Sequence, residues 1–103
     1  MIKARFHEAA DAELAEAVSY YDGKAGGLGE RFLAEVKAGT RYIEQYPEIA
    51  PVIEQGVRGR VLVRFPYTLM YVIAGPELFI LAVAHQSRRP GYWADRLAPR
   101  TVG

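Results

Sequence analysis

Two apolar runs, Tyr67 to Ala74 and Leu78 to Ala84, are separated only by Gly75-Pro76-Glu77, and this pair constrains the fold more than any other feature of the chain. Both runs have strand length and are rich in β-branched and aromatic side chains. The glycine-proline connection between them predicts a hairpin with a tight turn. Because neither run alternates with polar residues, both faces must be covered, which places the hairpin at the centre of a sheet.

The covering layer is predicted upstream. Ile2, Ala4 and Phe6 alternate with Lys3, Arg5 and His7, the period of a short half-buried strand. From Glu8 the period changes: in an alanine-rich stretch, Leu14, Val18 and Tyr21 sit at helical spacing. Glu8, Asp11 and Glu13 favour the positive N-terminal end of that helix, which is expected to run to about Asp22. Four glycines between Gly23 and Gly29 break it, and Leu28, Phe32, Val36 and Ile43 then mark a second helix ending before Pro47. The two helices form a hairpin.

Tyr46 to Pro51 carries two prolines and is expected to be a connecting loop. Val57 to Phe65 alternates again, with Val61, Val63 and Phe65 expected on one face and Arg58, Arg60 and Arg64, with Leu62, on the other. Arg88 to Leu97 is read as one or two helical turns, with a frayed end after Pro99. The expected fold is therefore α+β, one domain over residues 1–103. A small twisted antiparallel sheet, made of the N-terminal strand and a three-stranded C-terminal meander, packs against an N-terminal helical hairpin, with a short C-terminal helix.

Several function classes are excluded or disfavoured at this level. No cysteine is present, so disulfides, cysteine zinc sites and a thiol nucleophile are absent. The longest apolar run, Leu78 to Ala84, is far short of the roughly 20 residues a membrane helix needs. Met1-Ile2-Lys3 opens no signal peptide, and a cytoplasmic protein without a membrane partner is expected. The net charge of +1 hides a segregation. Residues 1–57 hold six basic and ten acidic side chains, whereas residues 58–103 hold only Glu77 and Asp95 against Arg58, Arg60, Arg64, Arg88, Arg89, Arg96 and Arg100. Arginine's planar fork suits phosphate and carboxylate recognition, so this half either meets an anionic partner or is offset by the acidic half of the same fold.

His7-Glu8-Ala9-Ala10-Asp11 imitates zinc-protease spacing, yet a third ligand is missing and Glu8 and Asp11 suit a helix start, so no metal is expected. Gly23 to Gly29 lacks the preceding strand and the Ser or Thr after its lysine that a phosphate cradle requires, and no cofactor is expected. His85 ends an apolar strand and precedes Arg88 and Arg89. It is either a general acid or base beside phosphate-binding arginines or a strand-end histidine bonded to backbone. Tyr92-Trp93 is either a base-stacking pair or the anchor of the terminal helix.

Arg60-Val61-Leu62-Val63-Arg64-Phe65-Pro66-Tyr67-Thr68-Leu69-Met70-Tyr71 and Ala82-Val83-Ala84-His85-Gln86-Ser87-Arg88-Arg89-Pro90-Gly91-Tyr92-Trp93, in this order of elements, resemble the RelE/ParE superfamily of bacterial toxins. The most specific element is the apolar strand followed by His-x-x-Arg-x-Pro-x-Tyr-Trp. The resemblance implies the toxin of a type II toxin–antitoxin pair, held in a hetero-oligomer by direct binding of its antitoxin. Members like RelE cleave messenger RNA in the ribosome, and for that activity Arg58, Arg60, Arg64, His85, Arg88 and Tyr92 are the catalytic candidates. Thr68 and Gln86 stand where those nucleases carry arginine, so the set is incomplete. Members like ParE inhibit DNA gyrase, and this branch is the closer resemblance. It implies target binding through Arg60, Arg64, Arg88, Arg89, Tyr92 and Trp93. An acidic, partly disordered antitoxin is expected on Leu14, Val18, Arg58 and Arg60, supplying an amphipathic helix or an added strand. A binding module of the same fold without toxicity is a third reading.

Overall fold

The computed structural model describes residues 2–97, so the expected frayed end after Pro99, with Arg100, lies outside the described residues. The chain runs β1 (Lys3–Phe6), α1 (Glu8–Lys24), α2 (Leu28–Gln45), β2 (Val52–Glu54), β3 (Val57–Val61), β4 (Tyr67–Ala74), β5 (Glu77–His85) and a 3-10 turn (Ala94–Leu97). One five-stranded sheet has the order β1-β5-β4-β3-β2, which puts the apolar hairpin β4–β5 next to its centre, as its two-sided apolar pattern requires. Gly75, at φ 58°, occupies the first position of the two-residue turn between Ala74 and Glu77, where only glycine is at ease.

Two expectations are corrected together. β2 falls between the expected loop and the expected strand, where no element is predicted, and β1 pairs with β5 in parallel, so the sheet is mixed rather than antiparallel throughout. The causes are one. The helical hairpin returns the chain to the end of the sheet where β1 finished, and four strands in a meander, instead of three, bring the last one back parallel to the first. The additional reversal is made by Gln55 and Gly56, with φ of 53° and 76°, the left-handed pair of a two-residue hairpin turn.

α1 and α2 cover one face of the sheet. Ala10, Ala17, Phe32, Val36 and Ile43 meet Leu69, Tyr71, Leu78, Ile80 and Val83 in the main core. A ring cluster of Tyr21, Phe32, Phe65 and Tyr67 closes one end, with centroids 4.9–6.2 Å apart. The helices approach closely at Gly29, where a Cβ would lie 2.6 Å from the Val18 carbonyl oxygen, while the Gly29 N–H donates to Asp22 Oδ1 at 3.0 Å. His7, Nδ1 accepting from the Ala9 N–H at 3.0 Å, caps α1.

The opposite face carries a second cluster of Val57, Met70, Leu81, Ala82, Ala84 and Trp93. Leu81 and Ala82 both point there because the β4–β5 register shifts at Met70/Tyr71 and leaves Leu81 as an extra residue. Trp93 is buried in this cluster and pins the C-terminal segment to the sheet. β3 also differs from expectation. It stops at Val61, and Leu62, expected on the arginine face, is buried, while Val61 and Val63 are exposed.

Candidate functional site

The acidic side chain of Glu13 projects from the buried stripe of α1, between Ala10 and Ala17, and only 16% of it is accessible. An isolated carboxylate there would cost several kcal/mol of lost hydration. It is instead saturated with donors. Arg96 from the 3-10 turn makes a bidentate pair, Nη1 to Oε1 and Nη2 to Oε2, each at 3.0 Å. The Tyr92 hydroxyl donates to Oε2 at 2.7 Å and the Val83 backbone N–H to Oε1 at 3.0 Å. Arg96 Nη1 also donates to the Leu81 carbonyl at 2.9 Å. Strand β1 has ended by then, its last partner being Ile80, so Glu13 and Arg96 satisfy the β5 edge that β1 leaves open.

This network positions the exposed arginines. Arg88 lies over the Tyr92 ring, 4.3 Å from its centroid, with Nη2 3.8 Å from Glu13 Oε2. Arg89 follows, fully on the surface, in a groove of about 210 Å³ floored by Thr68, Met70 and Ala84 on the face away from the helices. A second groove, about 310 Å³, opens on the helix side between Tyr20, Glu16, Tyr67, His85 and Arg88. His85 lies edge-on to Tyr67 at 5.0 Å, and its Nδ1 accepts from the Ser87 N–H at 2.9 Å and sits 2.8 Å from Ser87 Oγ. It is thus a strand-end histidine bonded within its own turn, and among the described residues no carboxylate is hydrogen-bonded to it.

The residues expected to act together divide between two strands that β4 separates. His85, Arg88 and Tyr92 meet at the end of β5, whereas Arg58 and Arg60 lie on β3, two strands and therefore about 10 Å away. Arg58 Nη1 is occupied by the carbonyls of Glu48 at 2.9 Å and Ala50 at 2.7 Å, and Arg60 stacks on Tyr42 at 4.3 Å. Arg64 is exposed beyond the strand. Leu14 and Val18 are half-buried against the main core, and Trp93 supports the surface from beneath it. Glu13 and Arg96 were not singled out from the sequence. The available signal is an acid at helical spacing from two buried alanines, a position that demands a partner.

Burial raises the pKa of Tyr92 to about 12, and its hydrogen bond to Glu13 and that carboxylate's charge push in the same direction. A hydroxyl so held is a poor proton-transfer group near neutrality. Unfolded Tyr92 ionises at its ordinary value of 10.0 and folded Tyr92 near 12, so its contribution to stability is complete below pH 10 and declines as pH rises toward 12. Denaturant melts across that window are expected to show the stability advantage of wild type over Tyr92→Phe shrinking with pH. An advantage that stays constant contradicts the assignment.

Among the described residues, no group of three or more His, Asp or Glu side chains is arranged to hold a metal ion, and no helix is long and apolar enough to cross a membrane. A family model described as the ParE toxin of the type II toxin–antitoxin system parDE matches residues 4–90. A chain of the chromosomal ParDE TA system from P. aeruginosa has a similar fold, with a TM-score of 0.71 and 22% identity over 82% of this chain and 96% of that one. No curated protein sequence gives a significant match.

Proposed function

The chain belongs to the ParE toxin family and is the toxin of a type II toxin–antitoxin system, and from that premise we propose that it arrests growth by binding DNA gyrase through the Arg88–Arg89 ridge rather than by cleaving RNA. The observation that supports a binding role is the separation of the arginines of β3 from His85, Arg88 and Tyr92, with the Tyr92 hydroxyl occupied by Glu13. Ribonuclease chemistry needs a proton-transfer pair and phosphate donors converging within hydrogen-bond reach of one scissile group. Poisoning of a protein target needs a rigid, complementary surface, which Trp93 and the Glu13 network supply beneath two exposed guanidinium groups.

A cognate acidic antitoxin neutralises this toxin by direct contact, and the surplus of arginine in the second half of the chain is what such a partner would meet. The reading is tested by expressing wild type and His85→Ala from a tightly controlled promoter without antitoxin. Both are expected to arrest growth equally. Arrest by wild type together with normal growth of a folded His85→Ala variant would turn the assignment toward the nuclease branch, and normal growth with both would remove toxicity altogether.

A further inference from the structure

Directly after β5 the backbone is fastened at three consecutive residues. The Gln86 N–H donates to the Pro66 carbonyl at 2.9 Å, the Ser87 N–H to His85 Nδ1 at 2.9 Å and the Arg88 N–H to the His85 carbonyl at 3.0 Å. A neutral imidazole has one N–H and one bare nitrogen, and the Ser87 N–H shows which is which: Nδ1 is bare, so the ring proton is on Nε2. The 2.8 Å contact between Ser87 Oγ and Nδ1 therefore has a direction as well. The hydroxyl is the donor, its proton lies toward Nδ1, and the lone pairs of Oγ are left for other contacts. The Tyr67 ring, edge-on at 5.0 Å, holds the imidazole in this pose.

A hydroxyl bonded in this direction to an imidazole is the arrangement by which a serine becomes a nucleophile. Two features decide what it can attack. Ser87 is exposed and lines neither groove, whereas His85 and Arg88 line both, so Oγ stands on the crest between the grooves, open to small solutes. The next two residues are Arg88 and Arg89, both exposed. The surrounding carboxylates leave this positive charge in place. Glu13 is taken by the bidentate Arg96, Glu16 lines the helix-side groove, and Glu54 lines the other groove. Among the described residues Arg89 is in no ion pair. A pair of guanidinium groups beside the hydroxyl suits an anionic, tetrahedral phosphoryl group better than a neutral acyl carbon.

We propose that Ser87 is a phosphoryl-acceptor site, that His85 Nδ1 is the base for the transfer, and that phosphoserine there silences the Arg88–Arg89 ridge. The donor that fits an open crest is a small acyl phosphate. Oγ attacks the phosphorus, and the new Oγ–P bond forms as the bond from phosphorus to the bridging oxygen breaks. The electron pair of that bond leaves with the carboxylate, and the hydroxyl proton passes to Nδ1, which then releases it to water. The product carries a charge of about −1.5 to −2 beside two guanidinium groups and engages them in place of a target. The silencing rests on the toxin reading, whereas the chemistry at Ser87 does not.

The purified full chain is incubated with acetyl phosphate, and phosphoserine is located and timed by tandem mass spectrometry. Ser19, exposed on α1, is the internal control. Ser87 is expected to react at least tenfold faster than Ser19, a floor below the roughly hundredfold that a positioned base contributes. His85→Phe keeps a ring beside Tyr67 but has no bare nitrogen, and it is expected to slow the reaction at Ser87 at least tenfold. The acceptor site is overturned if Ser87 takes no phosphate, if Ser87 and Ser19 react alike, or if a folded His85→Phe reacts as fast as wild type. The Ser87 to Ser19 ratio is measured within one wild-type molecule, so it decides the matter even where His85→Phe fails to fold. In gyrase binding, Ser87→Ala is expected to match wild type, and Ser87→Glu and the phosphorylated protein to bind at least tenfold more weakly. Phosphorylated protein that binds as tightly as unmodified protein overturns the silencing. A chain that takes phosphate at Ser87 but leaves gyrase untouched loses the gyrase reading and the silencing built on it. One that inhibits gyrase and takes no phosphate loses the acceptor site alone.

Discussion

Glu13→Ala is expected to lower the melting temperature by roughly 12–24 °C, corresponding to about 3 kcal/mol, the low end for removing one partner of a buried ion pair in a domain of this size. The substitution removes one acceptor and strands three kinds of donor. Arg96 loses both bonds of its bidentate pair, Tyr92 its hydroxyl partner and Val83 its backbone partner. Leaving such groups buried and unpaired costs more than the bonds contributed when made. The stranded guanidinium dominates this cost, which fixes the outcome of a double-mutant cycle. Glu13→Ala combined with Arg96→Met is expected to be more stable than the sum of the two single losses allows, because removing both charges removes the penalty of an unpaired one. Thermal melts of the four proteins measure the coupling. Additive losses would mean that Glu13 and Arg96 do not form a unit.

The same network shows why part of this molecule was legible from sequence and part was not. The β4–β5 hairpin, the helical hairpin and the anchoring of the C-terminal segment follow from apolar periodicity, glycine breaks and a tryptophan near the end. β2 escaped because all three of its residues are exposed, so it carries no inward-outward alternation. Its Gln55-Gly56 turn is also a weaker signal than Asn-Gly. Missing one strand reversed the expected direction of β1 against β5, so a single local omission became a topological error. The reversed faces of Val61 and Leu62 have a similar origin. A strict two-residue period was carried past the point where β3 stops and the chain bends toward α2. The site was legible as a list of arginines but not as an arrangement, because Glu13, which holds Arg88 and Arg96, reads in sequence as one more acid at a helix start.

Arg88→Gln combined with Arg89→Glu is expected to weaken target binding on the order of a hundredfold, about 3 kcal/mol, while the melting temperature stays within a few degrees of wild type. Both side chains are exposed, and neither carries the core or the bidentate pair, so their loss is felt by a partner rather than by the fold. Arg88 is taken only to glutamine because a carboxylate there would face Glu13, whose Oε2 lies 3.8 Å from the arginine nitrogen. Growth arrest is expected to disappear with this variant. A variant that keeps full toxicity moves the target surface elsewhere on the molecule, and one that unfolds shows that Arg88 carries more of the Glu13 network than its geometry indicates.

The central claim is that this toxin works by binding and not by catalysis, and it is tested most directly on the purified protein, in gyrase supercoiling and ribosome-dependent mRNA cleavage assays run side by side. Supercoiling is predicted to be inhibited by wild type and by His85→Ala, to be restored with Arg88→Gln/Arg89→Glu, and messenger RNA to remain intact throughout. Messenger RNA cut by wild type but not by His85→Ala, with supercoiling untouched, would contradict it.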